Sequence, residues 1–281
     1  MRIAITGAGG RLGGALCRCL ATHHTVIPLL HQDVELRSPE TIGQIVVHHV
    51  DLVIHTAAYT NVDGCARDPD LAYQINGLGT HYVALACQNL NIPMVYISTN
   101  EVFDGETSTP YGEYAPTNPI NAYGRSKWAG EQIVMTLLQH FFIVRVSWLF
   151  GGERNFIRTV LRLAADPPEG GLRMVEDEVG SPTYAHDAAD AIAQLIETPC
   201  YGIYHLVNEG WCSRYTLASE VLRQAGHGHV PMTPIRLADY QRESTPPSYT
   251  PLANRAGAAF GITLRPWEEA VAAHLAEVSP T

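Results

Sequence analysis

The stretch that most constrains the fold lies at the start of the chain, where Thr6 leads into the letters GAGGRLGG. Its glycines recur every third residue, after a short apolar run and before a helical pattern. Glycines in this setting permit a tight turn, let the backbone approach a pyrophosphate, and let the helix lie close to the strand. Backbone amides and the helix dipole then face an anion. The pattern predicts a dinucleotide-binding turn, with a plain glycine-rich turn as the alternative. The candidate coenzyme-binding residues here are Gly7, Gly10, Arg11, Leu12 and Gly13.

The glycine loop opens an alternating series of strands and helices. Short runs rich in valine and isoleucine predict buried strands at 3–6, 26–30, 52–55, 94–98 and 143–148. Helical patterns alternate with them at 12–21, 39–48, 72–90 and 122–140. This alternation predicts an α/β fold, in which residues 1–150 form a dinucleotide-binding domain around a doubly wound parallel sheet.

The alternation weakens after Gly151, which predicts a smaller, mainly substrate-binding lobe over residues 151–281. Helices are expected at 155–165 and 185–197 and a late strand at 203–207, so the chain is expected to return to the first domain around 176–207. The proline-rich stretch 226–254 is expected to be mostly irregular, with one short helix at 237–241.

Composition argues against several classes of protein. A formal net charge of −10 without an arginine cluster disfavours nucleic acid as a partner. No apolar run approaches the ~20 residues of a membrane span, and the N-terminal apolar run is too short for a signal peptide, so we expect a cytoplasmic protein. The six cysteines and 13 histidines show no metal-ligand spacing. We therefore expect reduced core thiols, surface histidines and no metal site.

The end of the second predicted strand bears on the coenzyme. An acid at this place would hold the ribose 2′-hydroxyl of NAD, but the sequence reads Leu30-His31-Gln32. No carboxylate would repel a 2′-phosphate there, and Arg11 and His31 are available nearby. NADPH is therefore favoured over NADH. Glu35 is a candidate for contacting the adenosine part, with a solvent-exposed loop acid as the alternative.

Lys127 is the only lysine in the chain, and it follows Tyr123 by four residues, about one helical turn. A phenol titrates near ~10, so it needs a neighbouring cation to exchange protons efficiently at neutral pH. An ammonium one turn away lowers that pKa and also suits ribose hydroxyls. Thr99, at the carboxyl end of a predicted strand, offers a hydroxyl to a carbonyl oxygen. Together the three residues predict hydride transfer between a nicotinamide and a carbon bearing oxygen, with an accidental surface pair as the alternative.

Longer stretches resemble a family of extended short-chain dehydrogenase/reductases. They include HTAAYTNVD, STNEVFDG, NPINAYGRSKWAGE, RVSWLFG and DEVGSPTYAHDAADAI, and they span nearly the whole chain. The SWLFG and GSPTYAHD stretches look like those of the dTDP-4-dehydrorhamnose reductases in particular. The resemblance implies a Rossmann domain, NADPH or NADH as coenzyme, and a nucleotide-linked sugar as substrate.

The resemblance also assigns roles to matching positions. It implies a catalytic set of Thr99, Tyr123 and Lys127, with Tyr123 and Lys127 also touching the coenzyme. The nicotinamide and ribose channel would be lined by Ala57, Ala58 and Tyr59. The sugar nucleotide would be contacted by Val62, Asn100, Glu101 and Trp148.

Four positions depart from the family pattern. Asn100 and Glu101 stand where aspartate and tyrosine usually follow the threonine. Glu101 also resembles the glutamate base of sugar-nucleotide 4,6-dehydratases, but Asn100 cannot act as their acid. Pro246 replaces an arginine that the family pattern places against phosphate or sugar. Ala15 replaces a glutamate through which some members bind magnesium at a dimer contact, so no such metal is expected.

The resemblance implies reduction of the C4 keto group of a dTDP-linked sugar, converting dTDP-4-dehydro-L-rhamnose to dTDP-L-rhamnose, in a monomer or homodimer. Two alternatives stay open at this point. One is an epimerase or dehydratase that keeps NAD bound, which would not consume NADPH. The other is a non-catalytic regulatory subunit of a methionine adenosyltransferase, which would co-purify with that synthetase.

Overall fold

The computed structural model describes residues 1–278. The strands are β1 (Arg2–Thr6), β2 (Thr25–Leu29), β3 (Leu52–His55), β4 (Met94–Thr99), β5 (Phe141–Val146), β6 (Leu149–Phe150), β7 (Leu172–Val175), β8 (Val179–Gly180), β9 (Thr183–Tyr184), β10 (Gly202–His205), β11 (Cys212–Ser213) and β12 (Met232–Ile235). The helices are α1 (Arg11–Leu20), α2 (Thr41–Val46), α3 (Val62–Arg67), α4 (Pro69–Tyr73), α5 (Gly79–Leu90), α6 (Ala122–Leu137), α7 (Phe156–Ala165), α8 (Ala185–Leu195), α9 (Arg214–Gln224) and α10 (Trp267–Val278).

Six parallel strands form the central sheet in the order β10-β5-β4-β3-β1-β2. The chain runs from β1 outward to β2, then crosses back to β3 and continues in the opposite direction across the sheet. Ligands bind outside the carboxyl ends of strands at such a reversal. The predicted α/β fold with a doubly wound sheet is confirmed.

The two faces of this sheet are covered by different helices. Ile3 and Ile5 of β1 pack into one core with α1 and α8, whereas Ala4 between them packs into a second core with α2, α5 and α6. Successive strand side chains point to opposite faces, so a strand covered on both sides is apolar throughout. This is why the strands appear in the sequence as short continuous apolar runs.

A third core lies in the C-terminal half. It joins α7, α9 and α10 around residues such as Ile157, Val221 and Val271. The chain leaves this region to place β10 at the edge of the central sheet, where it pairs with β5. The division of the chain at residue 150 stays a prediction.

Several predicted elements differ from the structure. The helix predicted at 122–140 ends at Leu137, because Leu138 is extended and the chain must enter β5 at Phe141. The helix predicted at 72–90 starts earlier, at Pro69, and contains a π-helical turn, Gln74–Leu78. The stretch 226–254 includes β12, which pairs with β7, and its predicted helix is a 3₁₀ turn, Leu237–Asp239. Helices α9 and α10 were not predicted.

The expectation of surface histidines is wrong for His55, His205 and His274, which are buried. His55 is held between hydroxyls, with Nδ1 2.7 Å from Thr6 Oγ1 and Nε2 3.2 Å from Thr80 Oγ1. Burial lowers the pKa of His55 to about 3, so its imidazole is neutral. Among the described helices, none combines the length and apolar character needed to cross a bilayer.

Candidate active site

A cleft of about 1300 Å³ opens at the carboxyl ends of β1, β3, β4 and β5. Every residue selected from the sequence lines it. The set comprises Gly7, Gly10, Arg11, Leu12, Gly13, His31, Glu35, Ala57, Ala58, Tyr59, Val62, Thr99, Asn100, Glu101, Tyr123, Lys127 and Trp148. The structure therefore brings the candidate coenzyme, catalytic and substrate residues together around one cavity, while their individual roles stay predictions.

The glycine loop is shaped to admit a large anion. Gly7 has a φ of +68°, and a Cβ there would lie 2.7 Å from backbone atoms of Ala57. A Cβ on Gly13 would lie 2.2 Å from the carbonyl oxygen of Gly7, so only glycine lets α1 start this close to the strand. Gly10 is the N-cap of α1 and provides no side-chain cap. The first amides of α1 are thus free of a side-chain acceptor, as pyrophosphate binding requires.

The loop after β2 contains a cation that the motifs did not reveal. Arg37 donates from Nε and Nη2 to the carboxylate of Glu35 over 3.1 and 3.2 Å, and both side chains line the cleft with His31. The hydrogen bonds from Arg37 lower the pKa of Glu35 to about 2. Arg11 instead joins the glycine loop to the loop after β6, donating to the carbonyl oxygens of Arg154 and Leu149.

The start of α6 places Tyr123 beside the end of β4. Asn121 caps the helix, accepting from the amide of Gly124 over 2.8 Å, and its Nδ2 donates to Glu101 Oε2 over 2.6 Å. A Cβ on Gly124 would lie 2.1 Å from the Glu101 carbonyl oxygen. The Asn121 cap and Gly124 therefore bring α6 against the turn that follows Thr99.

Lys127 lies against an aromatic ring. Its Nζ is 4.2 Å from the centroid of the Tyr96 ring, and the Tyr96 hydroxyl donates to the Lys127 carbonyl oxygen over 3.1 Å. A Cβ on Gly130 would lie 2.1 Å from that hydroxyl, so a glycine one turn later admits Tyr96 beneath the helix. The contact is a cation–π interaction that directs the ammonium.

Protonation differs from the sequence-based expectation. Burial raises the pKa of Tyr123, and the charge of Glu101 raises it further, while the neighbouring Thr99 hydroxyl lowers it in part. Burial also raises the pKa of Glu101 and lowers that of Lys127 to about 7, against the opposing charge of Glu131. The phenol is therefore protonated at neutral pH, as a proton donor must be.

The lowered pKa of Lys127 makes stability depend on pH. Lysine in the unfolded chain titrates near ~10.4, so between pH 7 and that value the unfolded state binds a proton that the folded state does not. Stability then rises with pH, and the cost of charging the buried amine is fully present only below pH 7. We expect Lys127→Met to abolish this rise, which should be on the order of 2 kcal/mol between pH 7 and pH 9. Urea unfolding of both proteins at the two pH values measures it, and equal pH dependence in both would contradict it.

Asn76, in the π-helical turn, is a supporting residue that the motifs missed. Its Oδ1 accepts from the Tyr59 amide over 2.8 Å, and its Nδ2 donates to the Tyr59 carbonyl oxygen and to Ser126 Oγ over 3.0 and 2.9 Å. It is buried and joins the cleft loop after β3 to α6. π-Helical turns often mark functional sites, but the letters QINGL give no signal for one.

The far end of the cleft is formed by residues from both halves of the chain. Trp148 has a φ of +43°, which is unusual for a bulky residue, and lies under the guanidinium of Arg214. Val62 and Phe156 line the same cleft. The sequence identified Val62 and Trp148 but not Phe156 or Arg214.

No three His, Cys, Asp or Glu side chains cluster as a possible metal site within residues 1–278. Ala15, the position considered in the sequence analysis for a metal-binding glutamate, is buried in α1.

Comparisons with known proteins give concordant findings over the whole chain. A family model for the "RmlD substrate binding domain" matches residues 1–279. The spore coat polysaccharide biosynthesis protein SpsK of Bacillus subtilis is 37% identical over 281 residues, 99% of this chain and 98% of the relative. A dTDP-4-dehydrorhamnose reductase of Mycolicibacterium smegmatis is 36% identical over 276 residues, 96% of this chain and 84% of the relative. The crystal structure of dTDP-4-dehydrorhamnose reductase from Bacillus anthracis in complex with NADP has a TM-score of 0.93 and 35% identity, with 99% of each chain covered.

Proposed function

Because the chain belongs to the RmlD substrate binding domain family, to which it matches over residues 1–279, we propose that it is an NADPH-dependent reductase of a dTDP-linked 4-keto sugar. One observation carries the proposal: Thr99, Tyr123 and Lys127 line the same cleft as a glycine loop shaped for a dinucleotide. The substrate is dTDP-4-dehydro-L-rhamnose and the product dTDP-L-rhamnose, by similarity to relatives that carry the name dTDP-4-dehydrorhamnose reductase.

The residues present fit a dinucleotide. The amides that follow Gly10 would hold its pyrophosphate at the start of α1. Arg37 would offer guanidinium N–H donors and His31 a ring nitrogen to a 2′-phosphate, and Glu35 would offer acceptor oxygens to the adenosine part. Ser98 at the base of the cleft has a buried hydroxyl without a hydrogen-bond partner among the described residues, so a bound molecule can satisfy it.

When bound, the reduced nicotinamide supplies the hydride that C4 of the sugar receives. Thr99 holds the C4 oxygen by hydrogen bonding, and Tyr123 transfers its phenolic proton to that oxygen as negative charge develops. Lys127 contacts the ribose and stabilises the resulting phenolate until solvent returns the proton. Ala57, Ala58 and Tyr59 line the nicotinamide side, while Asn100 and Glu101 contact the sugar.

We place the reaction in the cytoplasm and the dTDP-sugar mainly in the lobe of residues 151–281, with a monomer or homodimer as the working unit.

An internal oxidation–reduction cycle, as in an epimerase or dehydratase, would leave NADPH unconsumed. The reductase consumes one NADPH for each keto sugar.

The decisive measurement is loss of NADPH absorbance on mixing the purified protein with dTDP-4-dehydro-L-rhamnose. We expect stoichiometric oxidation, with NADH used less efficiently because Arg37 and His31 meet no 2′-phosphate. A protein that binds NADPH but oxidises none with this sugar would refute the assignment of substrate. Faster turnover of a different dTDP-4-keto sugar would reassign it.

A further inference from the structure

Arg214 is a cation at the far end of the cleft that neither the motifs nor the family resemblance identified. It is the first residue of α9, and its Cζ lies 3.5 Å from the centroid of the Trp148 ring. Glu178 fixes its direction, since Nε and Nη2 both donate to Oε1 over 3.2 and 3.0 Å. Nη1 has no acceptor within the described part of the chain, and the side chain is 24% exposed. Arg214 is therefore held in place with donor capacity left for a ligand.

The surface beneath Arg214 is equally fixed. Trp148 adopts a positive φ, which a bulky residue keeps only where its surroundings determine it. Gly180 also lies close to the indole, since a Cβ there would come within 2.6 Å of the Trp148 ring. Phe156 lies 5.4 Å from the same guanidinium. The guanidinium and the indole thus form a rigid stacked pair on the cleft wall.

The other cleft-lining cations lie near the coenzyme residues. Arg11 donates to backbone carbonyls, Arg37 pairs with Glu35, and Arg18 contacts His186 over 3.0 Å. Arg154 adjoins Arg11 through its carbonyl oxygen. Lys127 lies against Tyr96. Arg214 differs from these residues because its guanidinium stacks on Trp148.

Two carboxylates, Glu101 and Glu178, lie close to the same end of the cleft. Burial raises the pKa of Glu101 and the charge of Glu178 adds to the rise, while the charges of Arg242 and Arg214 oppose it. Arg242 is already paired with Asp63 over 3.1 Å. The segment around Pro246 borders this region, because the Thr245 carbonyl accepts from Asn121 and Thr250 Oγ1 accepts from Asn100. Proline offers no positive charge there. A dianionic ligand group needs a cation from another element.

We propose that Arg214 binds the diphosphate of the nucleotide-linked sugar, taking the part that the family pattern gives to an arginine at the position of Pro246. The inference rests on the proposed function, which requires a diphosphate in the substrate. A planar guanidinium presents paired N–H donors to phosphate oxygens, and stacking on Trp148 sets the plane of that fork.

The test compares dTDP with thymidine, which lacks the diphosphate, by titration calorimetry at saturating NADP⁺. We expect the wild-type protein to prefer dTDP strongly and Arg214→Met to reduce that preference by about tenfold to a hundredfold. Thymidine and NADPH affinities should be unchanged. Arg214→Lys should show an intermediate loss, since it keeps the charge and a partner for Glu178 but loses the fork.

Arg223→Met is the matched control, because Arg223 lies on the same helix and pairs with Glu220 at the surface. It should keep the full preference for dTDP. An unchanged preference in Arg214→Met, or an equal loss in Arg223→Met, would overturn the assignment. If the wild type oxidises NADPH with the keto sugar while either result holds, only this inference fails. If the wild type neither turns over the sugar nor binds dTDP, the proposed function fails and the inference with it.

Discussion

Replacing Tyr123 with phenylalanine is expected to lower kcat by about 10²- to 10⁴-fold, the usual contribution of a positioned general acid. The substitution removes one hydroxyl from a partly buried ring on α6 and leaves the Asn121 cap and the Gly124 approach to Glu101 intact. NADPH should still bind, because the glycine loop and Lys127 are unchanged. The measurement is single-turnover NADPH oxidation with the keto sugar, alongside a fluorescence titration of NADPH.

The large loss follows from the protonation states around the site. Glu101 has a raised pKa, but its Oε2 already accepts a hydrogen bond from Asn121. Thr99 can hold the oxygen of the keto group, but an aliphatic hydroxyl is a poor acid. Tyr82→Phe is the matched control, since Tyr82 lies on α5 outside the cleft, and it should turn over at the wild-type rate. A Tyr123→Phe protein within threefold of wild-type kcat would exclude the phenol as proton donor.

Replacing Arg145 with methionine is expected to lower the free energy of unfolding by about 3–5 kcal/mol, the cost of breaking a buried ion pair. Arg145 on β5 donates from Nη2 and Nε to the two carboxylate oxygens of Glu131 over 2.6 and 2.8 Å. The side chains are 3% and 0% exposed. The substitution strands a carboxylate in the core and also removes the donor to the Glu113 carbonyl oxygen at 2.9 Å.

A double variant separates the charge from its packing. Arg145→Met combined with Glu131→Leu removes both charges, so it should recover much of the lost stability. It should also weaken NADPH binding, because the charge of Glu131 raises the pKa of Lys127 and helps keep its amine protonated. Guanidinium unfolding and NADPH titration measure the two effects.

The control for this pair is Arg223→Met, which breaks an exposed ion pair whose arginine side chain is 69% exposed. Exposed pairs contribute about 0–1 kcal/mol, so its stability should stay near that of the wild type. Equal stability losses in Arg145→Met and Arg223→Met would show that burial does not govern the cost.

The glycine loop and the first strands could be predicted from the sequence because their physical causes are local. Gly7 needs a positive φ, and Gly13, six residues later, must lie close to the Gly7 carbonyl oxygen. Both requirements involve residues within one short stretch of the chain. The four-residue spacing of Tyr123 and Lys127 likewise follows from helical geometry alone. Buried parallel strands need apolar residues on both faces, which marks them as short continuous runs.

Other features depend on residues far apart in the chain. Arg214 reaches Trp148, 66 positions earlier, only because β11 pairs with β8 and Gly180 leaves room for the indole. Asn76 likewise joins the loop at Tyr59 to Ser126, which lies 50 positions further along the chain. No local pattern encodes such pairs, since each contact exists only when three elements are already packed.

The pKa of Tyr123 shows the same division between what local sequence determines and what the tertiary structure determines. The spacing of Tyr123 and Lys127 correctly places a phenol and an amine on one helix, but it predicts a lowered pKa for the tyrosine, whereas burial raises it. Local spacing determines which groups are neighbours. Desolvation depends on everything that surrounds them, so the helix positions could be inferred from the order of residues, while the charge on Tyr123 and Lys127 was decided by the folded core.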